Sequence, residues 1–210
     1  MRDWTLALHP GLADASRLPT SRRQAQAELS ELLLLVLAGS VAALAVMLLD
    51  FSWKIPGHAI LRAVFPMACG LALVPRRLGG LVMGLSAALT LSAGGLVRLE
   101  LPGWGATTSL LCLGPVLDVI LARASTSWRI WIGFALGGLA ANLLALALQG
   151  SLKWSSGTAG FAALDGWIQR AAISYPLCGL AAGLISAIVW FRLSGPPANK
   201  SQPPASPIAH

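Results

Sequence analysis

Past a polar lead of about thirty residues, the chain alternates long apolar runs with short polar connections. The runs fall at residues 32–51, 59–74, 78–97, 107–122, 130–149 and 171–190. Each is near the roughly 20 residues that a helix needs to cross a bilayer. Lipid offers the backbone no hydrogen-bond partner, so a spanning segment must be a helix or part of a closed barrel, and the two-residue alternation of a barrel strand is absent. The pattern predicts an all-α, polytopic integral membrane protein with six transmembrane helices. The second and fourth runs are shorter and interrupted, one by Arg62 and Pro66, the other by Pro115 and Asp118.

The flanks read differently. Residues 1–30 form a polar N-terminal segment, too long and charged for a cleaved signal peptide. In it Ser21 and Gln24 fit a capping box, so the first helix is expected to begin before the membrane. Residues 31–193 hold the six-helix domain. Residues 194–210, rich in proline and serine, lack the apolar surface to fold and read as a disordered tail. Within residues 150–170, Phe161, Leu164, Trp167 and Ile168 recur at helical spacing and predict a short helix lying in the headgroup region.

Composition agrees with the pattern. Hydrophobic residues make up 56% of 210, about 118 side chains, and only 11% are charged, where a soluble domain has about 25%. The net charge of +7 would suggest nucleic acid in a soluble chain. Here its placement gives topology instead. Arg17, Arg22 and Arg23, then Arg76 and Arg77, then Arg123 and Arg129, then Arg192 and Lys200 lie on alternate connections. Lys54, Arg98, Lys153 and Arg170 lie on the others, partly offset by Asp50, Glu100 and Asp165. Positive loops stay inside, which puts both termini in the cytoplasm and gives no role to nucleic acid.

Enzyme signatures are absent. There is no HExxH, no GxSxG and no phosphate-binding loop. The three histidines, His9, His58 and His210, cannot supply paired haem ligands within the bundle, and Asp118 is the sole acid well inside a span. Cys69, Cys112 and Cys178 stand singly in apolar runs and read as small buried hydrophobes. No cofactor and no metal site is expected.

Polar groups at membrane depth cost on the order of 2.5–3.5 kcal/mol for a central charge, so each needs a reason. His58 and Arg62 share one helix face, one turn apart. With Asn142, Gln149 and Tyr175 they fall on the outer side of the predicted topology. Together they are expected to line an outward-facing pocket, roofed by residues 52–57 and 150–170 with Trp154 and Trp167. Donors, a cation and aromatic faces suit a small, flat or anionic solute. The plainer alternatives are snorkelling arginines, an exposed histidine, an interhelical hydrogen bond from Asn142 and an aromatic belt. Asp118, one turn from the cytoplasmic end, is read as a structural ion pair with Arg76, Arg77, Arg123 or Arg129, or as a relay. Small residues four apart recur at Ala38–Ala42, Gly80–Gly84, Gly133–Gly137 and Gly179–Gly183, allowing helix backbones to approach closely. The first pair is the one assigned to partner docking.

Residues 54–58, Lys-Ile-Pro-Gly-His, together with a glycine-rich third span, Gly114-Pro115 followed by Asp118, and Ala38–Ala42, resemble the S component of an energy-coupling factor (ECF) transporter. The resemblance covers residues 30–191. It implies a substrate-binding subunit in the bacterial inner membrane for a vitamin or its precursor. It also implies a membrane coupling subunit, docked on Ala38 and Ala42, and cytoplasmic ATPases as partners. Metal-specific members begin with a Met-His motif, whereas this chain begins Met1-Arg2, which disfavours metal uptake. The alternative is a structural or assembly subunit of a membrane complex. A self-contained secondary transporter would show internal repeats, and none is evident.

Overall fold

The computed structural model describes residues 7–19, 29–49, 56–97, 99, 101–156 and 161–193, with side chains omitted at 161–164. The expected Ser21–Gln24 capping box, residues 52–55 of the expected roof, Lys54, Arg98 and the 194–210 tail lie outside them. The described residues form seven helices: α1 Pro10–Ala15, α2 Leu29–Leu48, α3 Ala59–Leu73, α4 Gly79–Leu96, α5 Trp104–Leu121, α6 Ser127–Ser156 and α7 Phe161–Trp190. Helices α2 to α7 correspond to the six apolar runs. Five of them are long and apolar enough to cross a membrane. The sixth, α3, has 15 residues, about 22 Å at the helical rise of 1.5 Å per residue.

Packing explains how so short a helix is accommodated. The helices form a ring in the order α2, α4, α5, α6, α7 and α3, and α3 closes it between α7 and α2 while also touching α5, α4 and α6. Its Ile60, Ala63, Val64, Met67, Ala68 and Leu71 are all buried. Leucines and valines of α2, such as Leu33, Leu37, Val41 and Leu48, face outward instead, as suits a surface solvated by acyl chains.

The glycine pairs are spent inside this ring. Gly80 lies against Gly114, Gly138 against Gly179 and Gly183 against the backbone of Phe134, so closely that a Cβ at any of these glycines would collide with the neighbouring main chain. Removing side chains at these crossings lets α4 meet α5, and α6 meet α7, backbone to backbone. The same geometry corrects the docking assignment on α2. Ala42 is fully buried and Ala38 packs against the core, while Gly39 abuts Met83 and Ser86 of α4. The small face of α2 packs largely on the protein's own α3 and α4, with Ala42 buried and Ala38 partly exposed.

Residues 150–170 also differ from expectation. They do not hold a separate helix lying in the headgroup region. Helices α6 and α7 run on as 30-residue helices, about 45 Å each at the same rise, and overhang the rest of the bundle.

The opposite end of the bundle is closed by α1. Pro10 starts the helix, where its missing N–H costs nothing, and His9 caps it by accepting from Leu12 N at 3.1 Å. The other imidazole nitrogen meets the Leu121 carbonyl at the end of α5. Ser16 Oγ donates to the Ala72 carbonyl of α3 at 2.9 Å. Backbone bonds join His9 N to Pro75 O, Arg77 N to Ala7 O, Arg17 N to Trp190 O and Arg192 N to Ala15 O. One short helix and its flanking residues thus supply hydrogen-bond partners to carbonyls at the C-terminal ends of α3, α5 and α7. Burial pushes the His9 imidazole below its ordinary pKa, with Arg77 adding to the effect against the opposing pull of its backbone hydrogen bonds. Beside it, buried Arg76 binds Glu31 of α2 through Nε at 2.9 Å and Nη2 at 2.8 Å.

Candidate functional site

At the end away from α1, the C-terminal part of α2, the N-termini of α3 and α5, and the overhanging halves of α6 and α7 surround a cavity of about 500 Å³. Its size falls within the range of small-molecule sites. His58, Arg62, Asn142, Gln149, Trp167 and Tyr175 all line it. Six polar or aromatic side chains from three helices, separated by up to 117 positions, therefore meet in one space. Trp154 does not join them; it stands 67% exposed on the outer surface of α6.

Each lining residue has a distinct task. Arg62 lies one turn after His58 on α3. Its guanidinium donates to His58 Nε2 at 3.4 Å and to the Val46 carbonyl of α2 at 3.5 Å, which holds a cation at the cavity wall. Tyr175 donates its hydroxyl to Gln149 Oε1, linking α7 to α6. Trp167 turns its indole to the cavity while Lys153 Nζ sits 5.0 Å from the ring centroid, within cation–π range.

Asn142 is structural. It is 1% exposed, and its amide nitrogen donates to the Tyr175 carbonyl at 2.7 Å and to the Gly57 carbonyl at 3.1 Å. Both amide protons are thereby used to tie α6 to α7 and to the turn before α3. That turn requires glycine: Gly57 has φ +82°, and a Cβ there would lie 2.9 Å from Tyr175 Cγ and 3.1 Å from Asn142 Nδ2.

Sequence reasoning overlooked the opposite wall, made of Leu101, Pro102, Gly103, Gly105, Ala106 and Ser109. Gly103 precedes α5 without a side-chain cap, and a Cβ on Gly105 would collide with Gln149 and the Tyr175 hydroxyl. The signal was present as Pro102-Gly103-Trp104-Gly105, two glycines where a helix starts under a polar pocket. The first turns of both α3 and α5 border the cavity. Leu61 N there donates to the His58 carbonyl at 3.1 Å and Thr107 N to the Gly103 carbonyl at 3.0 Å. The N–H groups ahead of them lie at helix starts, where the helix itself supplies no acceptor. Their dipoles favour negative charge in the same space as the Arg62 cation. Among the described lining residues there is no carboxylate.

Asp118 belongs to the other end. The expected arginine pair is replaced by backbone: its carboxylate accepts from Gly80 N at 3.0 Å and Leu81 N at 2.6 Å. Leu78, the residue before α4, has φ +60° and provides no side-chain cap. Asp118 reaches across from α5 to do so, and its charge suits the positive end of the α4 dipole. Among the described residues no group of three or more His, Cys, Asp or Glu side chains is placed to hold a metal ion. Comparison with protein-family models, with curated proteins and with solved structures finds no match.

Proposed function

We propose that this chain is a membrane-embedded substrate-binding subunit, of the kind the ECF S component exemplifies, that takes up a small solute with a separate ATP-driven module. One observation carries the reading: residues singled out because polarity is costly in a bilayer converge on a single cavity with aromatic, small and cationic walls. The solute class that suits it is a vitamin or precursor with an anionic or acceptor-rich group for Arg62 and the helix N-termini, and a flat portion for Trp167. The arginines gathered at the α1 end support six crossings with both termini in the cytoplasm, a topology in which the cavity would lie on the outer side of a bacterial inner membrane. The membrane coupling subunit would dock on a surface other than the Ala38–Ala42 face.

Ala106 lines the cavity from the first turn of α5, so Ala106→Trp fills it without removing a polar group. Native mass spectrometry of gently extracted protein should find a co-purified small molecule on the wild type and none on Ala106→Trp. A bound mass equally retained by the variant, or none on either protein after extraction from cells grown in rich medium, rules the reading out.

A further inference from the structure

A second cavity, of about 290 Å³, opens at the α1 end. Its walls are apolar, formed by Leu12, Leu71, Leu78, Val119 and Leu121. Val119 is 75% exposed, so the slot opens on the outer surface of α5, the surface that acyl chains would solvate. Four charged or titratable groups line it: His9, Arg76, Arg77 and Asp118. His9 bonds Leu12 N and the Leu121 carbonyl, Arg76 pairs with Glu31, Asp118 accepts from the start of α4, and Arg77 too has an interaction of its own. Arg77 stands exposed at the rim. Around it the same end of the bundle exposes Arg17, Arg123, Arg129 and Arg192, against the exposed carboxylate of Asp14.

We infer that this slot is a binding site for an anionic phospholipid, with an acyl chain between Leu78 and Val119 and the phosphate at Arg77. The shape and charge are amphipathic in the same sense as the ligand: an apolar slot ends at a belt of arginines. A zwitterionic lipid would bring its own ammonium group into that belt. A free phosphate would leave the apolar walls unfilled. A juxtamembrane arginine near an anionic headgroup contributes enough to favour it several-fold. The inference rests on the spanning of the helices and is independent of the solute cavity at the other end.

The test uses the full chain in mild detergent, offered phosphatidylglycerol or phosphatidylcholine with identical acyl chains, and read by native mass spectrometry and thermal melting. One phosphatidylglycerol should be retained at about fivefold higher occupancy than phosphatidylcholine, and Arg77→Gln should bring the two to near parity. Ala122→Trp, which fills the slot from the end of α5, should displace both lipids. Equal occupancy by the two lipids on the wild type overturns the inference, as does a phosphatidylglycerol preference unchanged in both variants. Stabilisation by inorganic phosphate equal to that by phosphatidylglycerol overturns it in favour of a free anion site. Retention of the small solute by Arg77→Gln and Ala122→Trp would leave the first cavity untouched by either outcome.

Discussion

At the α1 end of the bundle, helix termini are tied off by other segments. His9 and Ser16 meet the carbonyls of Leu121 and Ala72, and Asp118 caps α4. At the other end, the first turns of α3 and α5 border a cavity of about 500 Å³ instead. Both ends use the same helices and face the same problem of unsatisfied backbone groups. Where the chain supplies the partners, the result is closure. Where it supplies space, glycines and a cation, the helix starts border an open cavity, which the proposed function fills with a solute. Substitutions at the two ends should therefore separate stability from binding.

The largest expected effect is at the turn that frames the cavity. Gly57→Ala forces a side chain into a left-handed conformation and against Tyr175 and Asn142, at a combined cost of about 2–4 kcal/mol. Both the melting temperature and solute retention should fall. A variant that melts like wild type would contradict the assigned turn. Asp118→Ala should come next, losing about 2 kcal/mol by leaving two N–H groups of α4 uncapped. Solute occupancy should stay within about twofold of wild type, because the cavity is at the other end. Asp118→Asn, which keeps an acceptor, should recover part of the stability.

The pH response of the α1 end is smaller. Burial lowers the His9 pKa from its ordinary 6.5, so the folded state binds fewer protons than the unfolded state as pH falls through that value. Stability contributed by neutral His9 is complete above about pH 6.5 and declines on acidification until the folded pKa is passed. Hydrogen exchange at the Leu12 amide, corrected for intrinsic rate, should accelerate between pH 7.5 and 5. In His9→Asn, which caps without titrating over this range, it should not. Smallest of all is Trp154→Ala, whose solute occupancy should match wild type within about twofold, whereas Trp167→Ala should reduce affinity by about tenfold. Equal losses at the two tryptophans would erase the distinction between exposed and lining rings.

Much of the bundle was legible because apolar runs of span length are conspicuous, and the cavity residues were legible because His58, Arg62, Asn142, Gln149 and Tyr175 are expensive in apolar helices. Spacing alone does not reveal who meets whom. Ala38 and Ala42 announce a close approach, but not that α3 and α4 fill it. Asp118 announces a buried charge, but its partners are backbone N–H groups from a helix 37 positions away. Trp154 and Trp167 look alike at helix ends, and only the rotation of α6 and α7 separates them. The α1 closure was the least visible, since six residues show no period and their burial comes wholly from tertiary contact. Even so, His9-Pro10 carries a cap and a proline start that mark a helix.

In the proposed function, His58, Arg62, Trp167 and Tyr175 enclose a solute at the end of the bundle away from α1. An experimental structure of the wild-type protein, extracted gently from cells grown in rich medium, tests this most directly. Density for a small non-protein molecule is expected against the Trp167 ring, with a polar group within hydrogen-bonding distance of Arg62 or the first turn of α5. Density in which the protein's own side chains fill that space, or in which these four residues face lipid on separate surfaces, would contradict it.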